Sequence, residues 1–74
     1  MFVVIDNLYR KAENNSYYIK DENRKLYIRP ADVRYLNGSV DKDVALITEI
    51  VLYNGDRFYT GTPVDVIKKL ITGE

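Results

Sequence analysis

The chain has no histidine, no cysteine and no tryptophan, and its 74 residues include only two prolines, four glycines and one methionine. Without cysteine there is neither a disulfide nor a thiolate metal site. Without histidine there is no imidazole for metal binding or for proton transfer near neutral pH. A chain this short buries only about 60% of the surface its unfolded form exposes. Its core supplies roughly 3–5 kcal/mol, so domains of this size lean on disulfides, metals or a second subunit. Association with another chain is the support left. Net charge is missing too. Eleven basic and eleven acidic side chains cancel, which leaves no global field to draw in nucleic acid or an acidic membrane. Long hydrophobic runs are also absent. The apolar opening of residues 1–5 ends at Asp6 with no cationic stretch before it, too short for a signal segment or a membrane span. Cytoplasmic residence without membrane attachment is the expectation, and the lack of cysteine agrees with it.

What the chain does have is a series of short β-type runs, with no internal repeat, linker or composition shift, so residues 1–74 form one domain. Residues 1–5, Met1-Phe2-Val3-Val4-Ile5, are apolar and rich in β-branched side chains and suit a buried strand. Residues 6–16 are ambiguous between a strand with a bulge and a single helical turn, and Asn14-Asn15-Ser16 ends them. Residues 17–20 and 25–29 read as two strands of a hairpin across the polar loop of residues 21–24. Pro30 closes the second of them and starts a tight turn with Ala31 and Asp32. Residues 33–36 resume as a short strand that Asn37-Gly38-Ser39 breaks. Residues 44–53 are the strongest strand, apolar on both faces: Val44, Leu46, Thr48, Ile50 and Leu52 on one, and Ala45, Ile47, Glu49, Val51 and Tyr53 on the other. Such a strand is covered on both sides or packs against a partner chain, and Thr48-Glu49 marks a candidate bulge. Asn54-Gly55 between two apolar–aromatic runs predicts a type I′ hairpin, with residues 57–60 returning.

The chain ends in a predicted helix over about residues 63–72. Thr62 is the expected capping residue, Pro63 the first helical position, and Asp65 a favourable charge in the first turn. Val66, Ile67, Leu70 and Ile71 form its apolar stripe, Lys68 and Lys69 face water, and Gly73 stops it. About ten residues make a marginal helix alone, so it must dock on the sheet. The fold class is therefore α+β: five to six short antiparallel strands forming a curved sheet or small barrel, with one C-terminal helix.

Three sets of side chains are candidates for function. Tyrosine supplies seven of the residues, six of them on predicted strands (17, 18, 27, 35, 53 and 59), with Tyr9 outside. A tyrosine combines a large apolar body with a polar tip and suits protein interfaces. Tyr27, Tyr35, Ile47, Val51, Tyr53 and Tyr59 are the candidate interface residues; the plainer reading places such tyrosines at the edge of the core with their hydroxyls in water. Lys20, Arg24, Lys25, Arg29 and Arg34 form a basic cluster interleaved with tyrosines, the composition that holds single-stranded nucleic acid. Asp21, Glu22 and Asp32 lie in the same stretch and cancel much of its field. The halves of the chain differ modestly: residues 1–37 carry seven bases and five acids, residues 38–74 four and six. Among carboxylates, Asp41 and Asp43 are a weak calcium candidate with no twelve-residue ligand loop. Glu49 has a raised pKa if it is buried; otherwise it pairs with an arginine across the strand or lies on an exposed edge. No nucleophile–base pair and no glycine-rich phosphate loop is present. Neither a cofactor nor enzymatic activity is expected.

The order Leu26-x-Ile28, Asp32-Val33-x-x-Leu36, the strand of residues 44–53, Asn54-Gly55-x-x-Phe58 and Val64-x-Val66-Ile67-x-x-Leu70 resembles the FlbD-like small proteins of flagellar operons. More distantly, it is similar to the LytTR-type succession of strand, strand, hairpin, strand and helix. The resemblance covers a little over half the chain. The chain departs from it by carrying residues 1–20 in front and by lacking the basic C-terminal surface that LytTR-type DNA recognition would use. The resemblance implies no defined chemistry. The functional expectation is a small bacterial or phage regulator, adaptor or inhibitor that binds itself, as a homodimer or higher oligomer, and an unidentified protein partner. The alternative is a nucleic-acid-binding regulator with a basic–aromatic sheet face.

Overall fold

The computed structural model describes residues 1–12, 18–41 and 44–73. Its elements are β1 (Val3–Ile5), β2 (Leu8–Lys11), β3 (Tyr18–Lys20), β4 (Leu26–Ile28), a 3-10 turn (Pro30–Asp32), β5 (Val33–Asp41), β6 (Val44–Leu52), β7 (Arg57–Thr60) and α1 (Val64–Thr72). The α+β class with antiparallel strands and one C-terminal helix holds. The described strands number seven rather than five or six, and they form two sheets, neither closed into a barrel. One is five-stranded in the order β3-β2-β7-β6-β5, and the other is the ribbon β1-β4. The ribbon and α1 together cover one face of the large sheet. Ile5 and Ile28 from the ribbon, Leu8 from β2, Ile50 and Leu52 from β6 and Ile67 from α1 form the core, with Val3, Leu26, Val33, Leu36, Phe58 and Ile71 packed around it.

Of residues 6–16, those described, 6–12, hold a strand over Leu8–Lys11. Asn7 takes a left-handed φ of 55°, a conformation asparagine tolerates, and turns the chain from the ribbon into the large sheet. The expected hairpin of residues 17–20 with 25–29 does not form. β3 pairs with β2, and β4 pairs with β1. Leu26 and Ile28 must face the core from the covering layer, whereas Tyr18 and Lys20 belong to the open side of the sheet. The loop between them crosses layers, with Asn23 at φ 65° and an ion pair from Arg24 to Asp21 at 3.0 Å.

Asn37-Gly38-Ser39 is not a break: β5 runs straight through it to Asp41. Gly38 is there because α1 crosses above, and a Cβ at this position would lie 3.1 Å from Val64 Cγ1. The bulge expected at Thr48-Glu49 is also elsewhere, since β6 pairs regularly with both neighbours at those residues. The register slips instead in β5, where Val33 faces Leu52 and Tyr35 faces Val51, leaving Arg34 as the extra residue. Thr48 is polar for a different reason. Its buried hydroxyl donates to the Thr62 carbonyl at 2.8 Å. Thr60, its cross-strand partner, donates to the Asp6 carbonyl at 2.8 Å and accepts from the Thr62 N–H at 3.1 Å. Two buried hydroxyls thus tie both chain entries of the covering layer to the middle of the sheet.

The β6–β7 hairpin forms, but its turn is not type I′. Gly55 has φ 94° while Asn54 keeps a negative φ. Gly55 N–H donates to Leu52 O at 3.0 Å, and Leu52 N–H to Asp56 O at 2.9 Å. This is the three-residue loop, a type I turn followed by a left-handed residue, and it takes Tyr53 out of the strand. In α1 the cap differs as well. Pro63, not Thr62, occupies the N-cap, in an extended conformation and without a side-chain bond, while the Thr62 carbonyl accepts from Thr48. Gly73 ends the helix at φ 77°, its N–H donating to Lys69 O. The apolar stripe is rotated from the expected one: Ile67 and Ile71 face the core, with Val64 at Gly38, and Val66 and Leu70 face outward.

Candidate functional site

The large sheet has one covered and one open face, and the two present different chemistry. Cross-strand partners share a face, so the register places Lys20, Tyr9, Tyr59, Glu49 and Asn37 in one row across all five strands of the open side. Beside it on one flank runs a second row, Tyr18 and Lys11 followed by Arg57, Val51 and Tyr35. The Tyr18 and Tyr59 rings meet at 5.3 Å between centroids with planes inclined by 57°. The Lys11 ammonium sits 5.8 Å from the first ring centre and 5.3 Å from the second.

Of its expected readings, Glu49 follows the pairing with an arginine across the strand: it accepts a hydrogen bond from Arg57 at 3.2 Å. That bond is the main reason the Arg57 guanidinium pKa is raised, with Tyr35 adding to it. Burial pushes the Tyr59 phenol above its ordinary value of 10.0; the Lys11 charge opposes this and Glu49 reinforces it.

The predicted interface residues do not form one surface. Ile47 and Val51 point to the open side of β6, yet they are only 1% and 3% exposed, so that face is not the bare apolar layer the pattern implies. Val51 lies in register between Tyr35 and Arg57, whose long side chains flank it. Tyr59 is half-buried on the same face, and Tyr35 is exposed near its edge. Tyr53 is at the hairpin tip. Tyr27 is on the opposite side of the molecule, on the outer surface of the ribbon. There it faces Val4 in register, and Phe2 precedes Val4 by two residues. Phe2, Val4 and Tyr27 are 63%, 46% and 61% exposed, and Val66 and Leu70 on α1 are 45% and 44% exposed. The covering layer therefore turns apolar side chains outward as well as inward. Sequence reasoning missed Phe2, Val4, Val66 and Leu70 because it assigned them to the core.

The predicted basic cluster is dispersed. Lys20 on β3 and Arg34 on β5 stand at opposite edges of the sheet, four strand spacings or roughly 19 Å apart. Arg24 is paired with Asp21, and Arg29 with Asp32 at 2.9 Å; the Asp32 bond raises the Arg29 pKa. Lys25 is exposed beside β4. Arg34 lies 6.0 Å from the centre of the Tyr35 ring. The cations the open face does hold, apart from Lys20, are Lys11 and Arg57. Their signal was the period-two spacing Tyr9-x-Lys11, Tyr18-x-Lys20 and Arg57-x-Tyr59.

Asp43, Tyr17 and Asn14-Asn15-Ser16 lie outside the described residues, and with Asp43 the calcium candidate as a pair. Among the described residues no three acidic side chains cluster as metal ligands, and no helix is long and apolar enough to cross a membrane. Comparison with protein-family models, curated proteins and solved structures finds no match. The FlbD-like spacing of residues 26–70 therefore rests on the sequence alone.

Proposed function

We propose that the chain is a small non-enzymatic adaptor, regulator or inhibitor that works by protein–protein contact, docking through its covering layer, with a second copy of itself as the occupant. The observation that carries this reading is the outward apolar surface of Phe2, Val4 and Tyr27 on the ribbon, with Val66 and Leu70 on the helix beside it. A polar rim surrounds the patch, with Lys25 and the Arg29–Asp32 pair beside the ribbon and Asp65 and Lys69 on α1, as interfaces require. A two-fold arrangement would set the Val4–Tyr27 pair against its own copy.

The absence of tryptophan gives a direct test. Tyr27→Trp places the only indole of the chain in the patch. Its emission should shift to shorter wavelength as the protein is concentrated from low to high micromolar. Emission of a solvated indole at every concentration would contradict the reading.

A further inference from the structure

From the open face of the sheet, on the side away from the covering layer, we infer a second binding site, whose ligand is single-stranded nucleic acid. The face combines the two elements such a ligand needs, rings for bases and cations for phosphates. Tyr9 and Tyr59 are cross-strand partners, and Tyr18 packs on Tyr59 at 5.3 Å. The three rings thus form a patch near the β3 side of the sheet, all of them half-buried with part of each ring in solvent.

Charge complementarity selects the occupant. Lys11, Lys20 and Arg57 lie on the face, and Arg34 is at its β5 edge against Tyr35. Among the described residues Glu49 is the one carboxylate there, and Arg57 engages it. The described residues of the face are therefore net positive although the chain is neutral. Lys11 and Lys20 make no ion pair among the described residues. The contact of Lys11 with the two rings is a solvent-exposed cation–π interaction, a weak one. A base laid on Tyr18 would displace the ammonium by a few ångströms, to where a phosphate follows the base.

The shape selects single strands. Tyrosine rings on a sheet surface stack on unpaired bases, and among the described residues no helix projects from this side to enter a duplex groove. Of the negative charges in the first half of the sequence, Asp21 and Asp32 are occupied by Arg24 and Arg29. Because the two surfaces are on opposite sides of the sheet, this site does not depend on dimerisation.

The test is fluorescence anisotropy of a labelled oligothymidine and its ribo-counterpart at low salt, with the full chain. Binding should appear for both, be weaker for a duplex of equal length, and fall with salt at a log–log slope of about −2, the value for three phosphate contacts on a single strand. Lys11→Met with Lys20→Met should weaken binding at least tenfold and flatten the slope. Lys68→Met, which removes an equal kind of charge from α1 on the other side, should leave it unchanged. Tyr18→Leu should cost roughly fivefold or more, the loss of one stacked base. No binding at low salt would overturn the inference, as would equal losses from the Lys68 variant. Tighter binding of an acidic peptide such as polyglutamate, insensitive to Tyr18→Leu, would assign the face to a protein partner instead and also overturn it.

Discussion

Replacing Thr60 by valine removes one oxygen atom from the centre of the molecule and nothing of its shape. Thr60 is fully buried. Its hydroxyl donates to the Asp6 carbonyl at 2.8 Å and accepts the Thr62 N–H at 3.1 Å, so it binds the ribbon's exit and the helix's entry at once. Each such bond is worth about 1 kcal/mol, and a buried group left without its partner costs somewhat more. The extra methyl of valine recovers less than about 1 kcal/mol of apolar burial. The net loss is about 2 kcal/mol, which for a domain of this size lowers the melting temperature by about 10 °C. Thr60→Ser is the control: it keeps both bonds, loses one methyl, and should cost about 1 kcal/mol. Thermal melts followed by circular dichroism, with urea unfolding as a check, measure both. Hydrogen exchange should quicken at the Gly61 amide, which donates to Asn7 O at 2.9 Å, before it changes in β6. A Thr60→Val protein that melts at or above the wild-type temperature would refute the anchoring role, as would a serine variant less stable than the valine one.

Other perturbations address single features. Gly38→Leu should force α1 off the sheet at Val64, costing about 1–3 kcal/mol, and Val64→Ala in the same chain should recover part of that in urea unfolding. Gly55→Ala meets no atom within 4 Å but holds φ 94°, so its cost of about 1–2 kcal/mol is backbone strain alone; an unchanged urea midpoint would contradict the turn geometry. The raised pKa of Tyr59 means that the unfolded chain loses this proton first as pH rises. Stability from this group is fully present below pH 10.0 and is lost as pH climbs through the higher folded-state value. A difference titration of tyrosinate absorbance between wild type and Tyr59→Phe should show a component above the ordinary tyrosine range.

The elements were legible in the sequence where a local rule decides them. The α1 boundary at Gly73, the Pro30 turn and the β6–β7 hairpin depend on backbone preferences of single residues, and all three are in place. Pairing was legible only in part, because it is decided across layers. Nothing within residues 17–29 says that Leu26 and Ile28 will find Val3 and Ile5 instead of the strand just before them. Gly38 carried the same ambiguity: a glycine beside asparagine and serine reads as a turn until the helix that requires its missing Cβ is placed above it.

The candidate surfaces are regrouped for a related reason. Alternation assigns side chains to faces but not faces to solvent. Ile47 and Val51 were placed on the correct side of β6 and are buried there. Val66 and Leu70 have the spacing of a core stripe and are outside it, because α1 meets the sheet through Val64, Ile67 and Ile71. The basic residues were grouped by their nearness in the sequence, whereas the sheet order sets Lys20 and Arg34 at opposite edges and brings Lys11 and Arg57 between them.

Whether the covering layer meets a second copy of itself is decided by the mass of the native protein in solution. Sedimentation equilibrium at high micromolar concentration should return twice the 8.6 kDa of the chain, and Val4→Lys should return the chain mass while keeping the wild-type circular dichroism spectrum. A native protein that sediments at the mass of one chain throughout that range would contradict it.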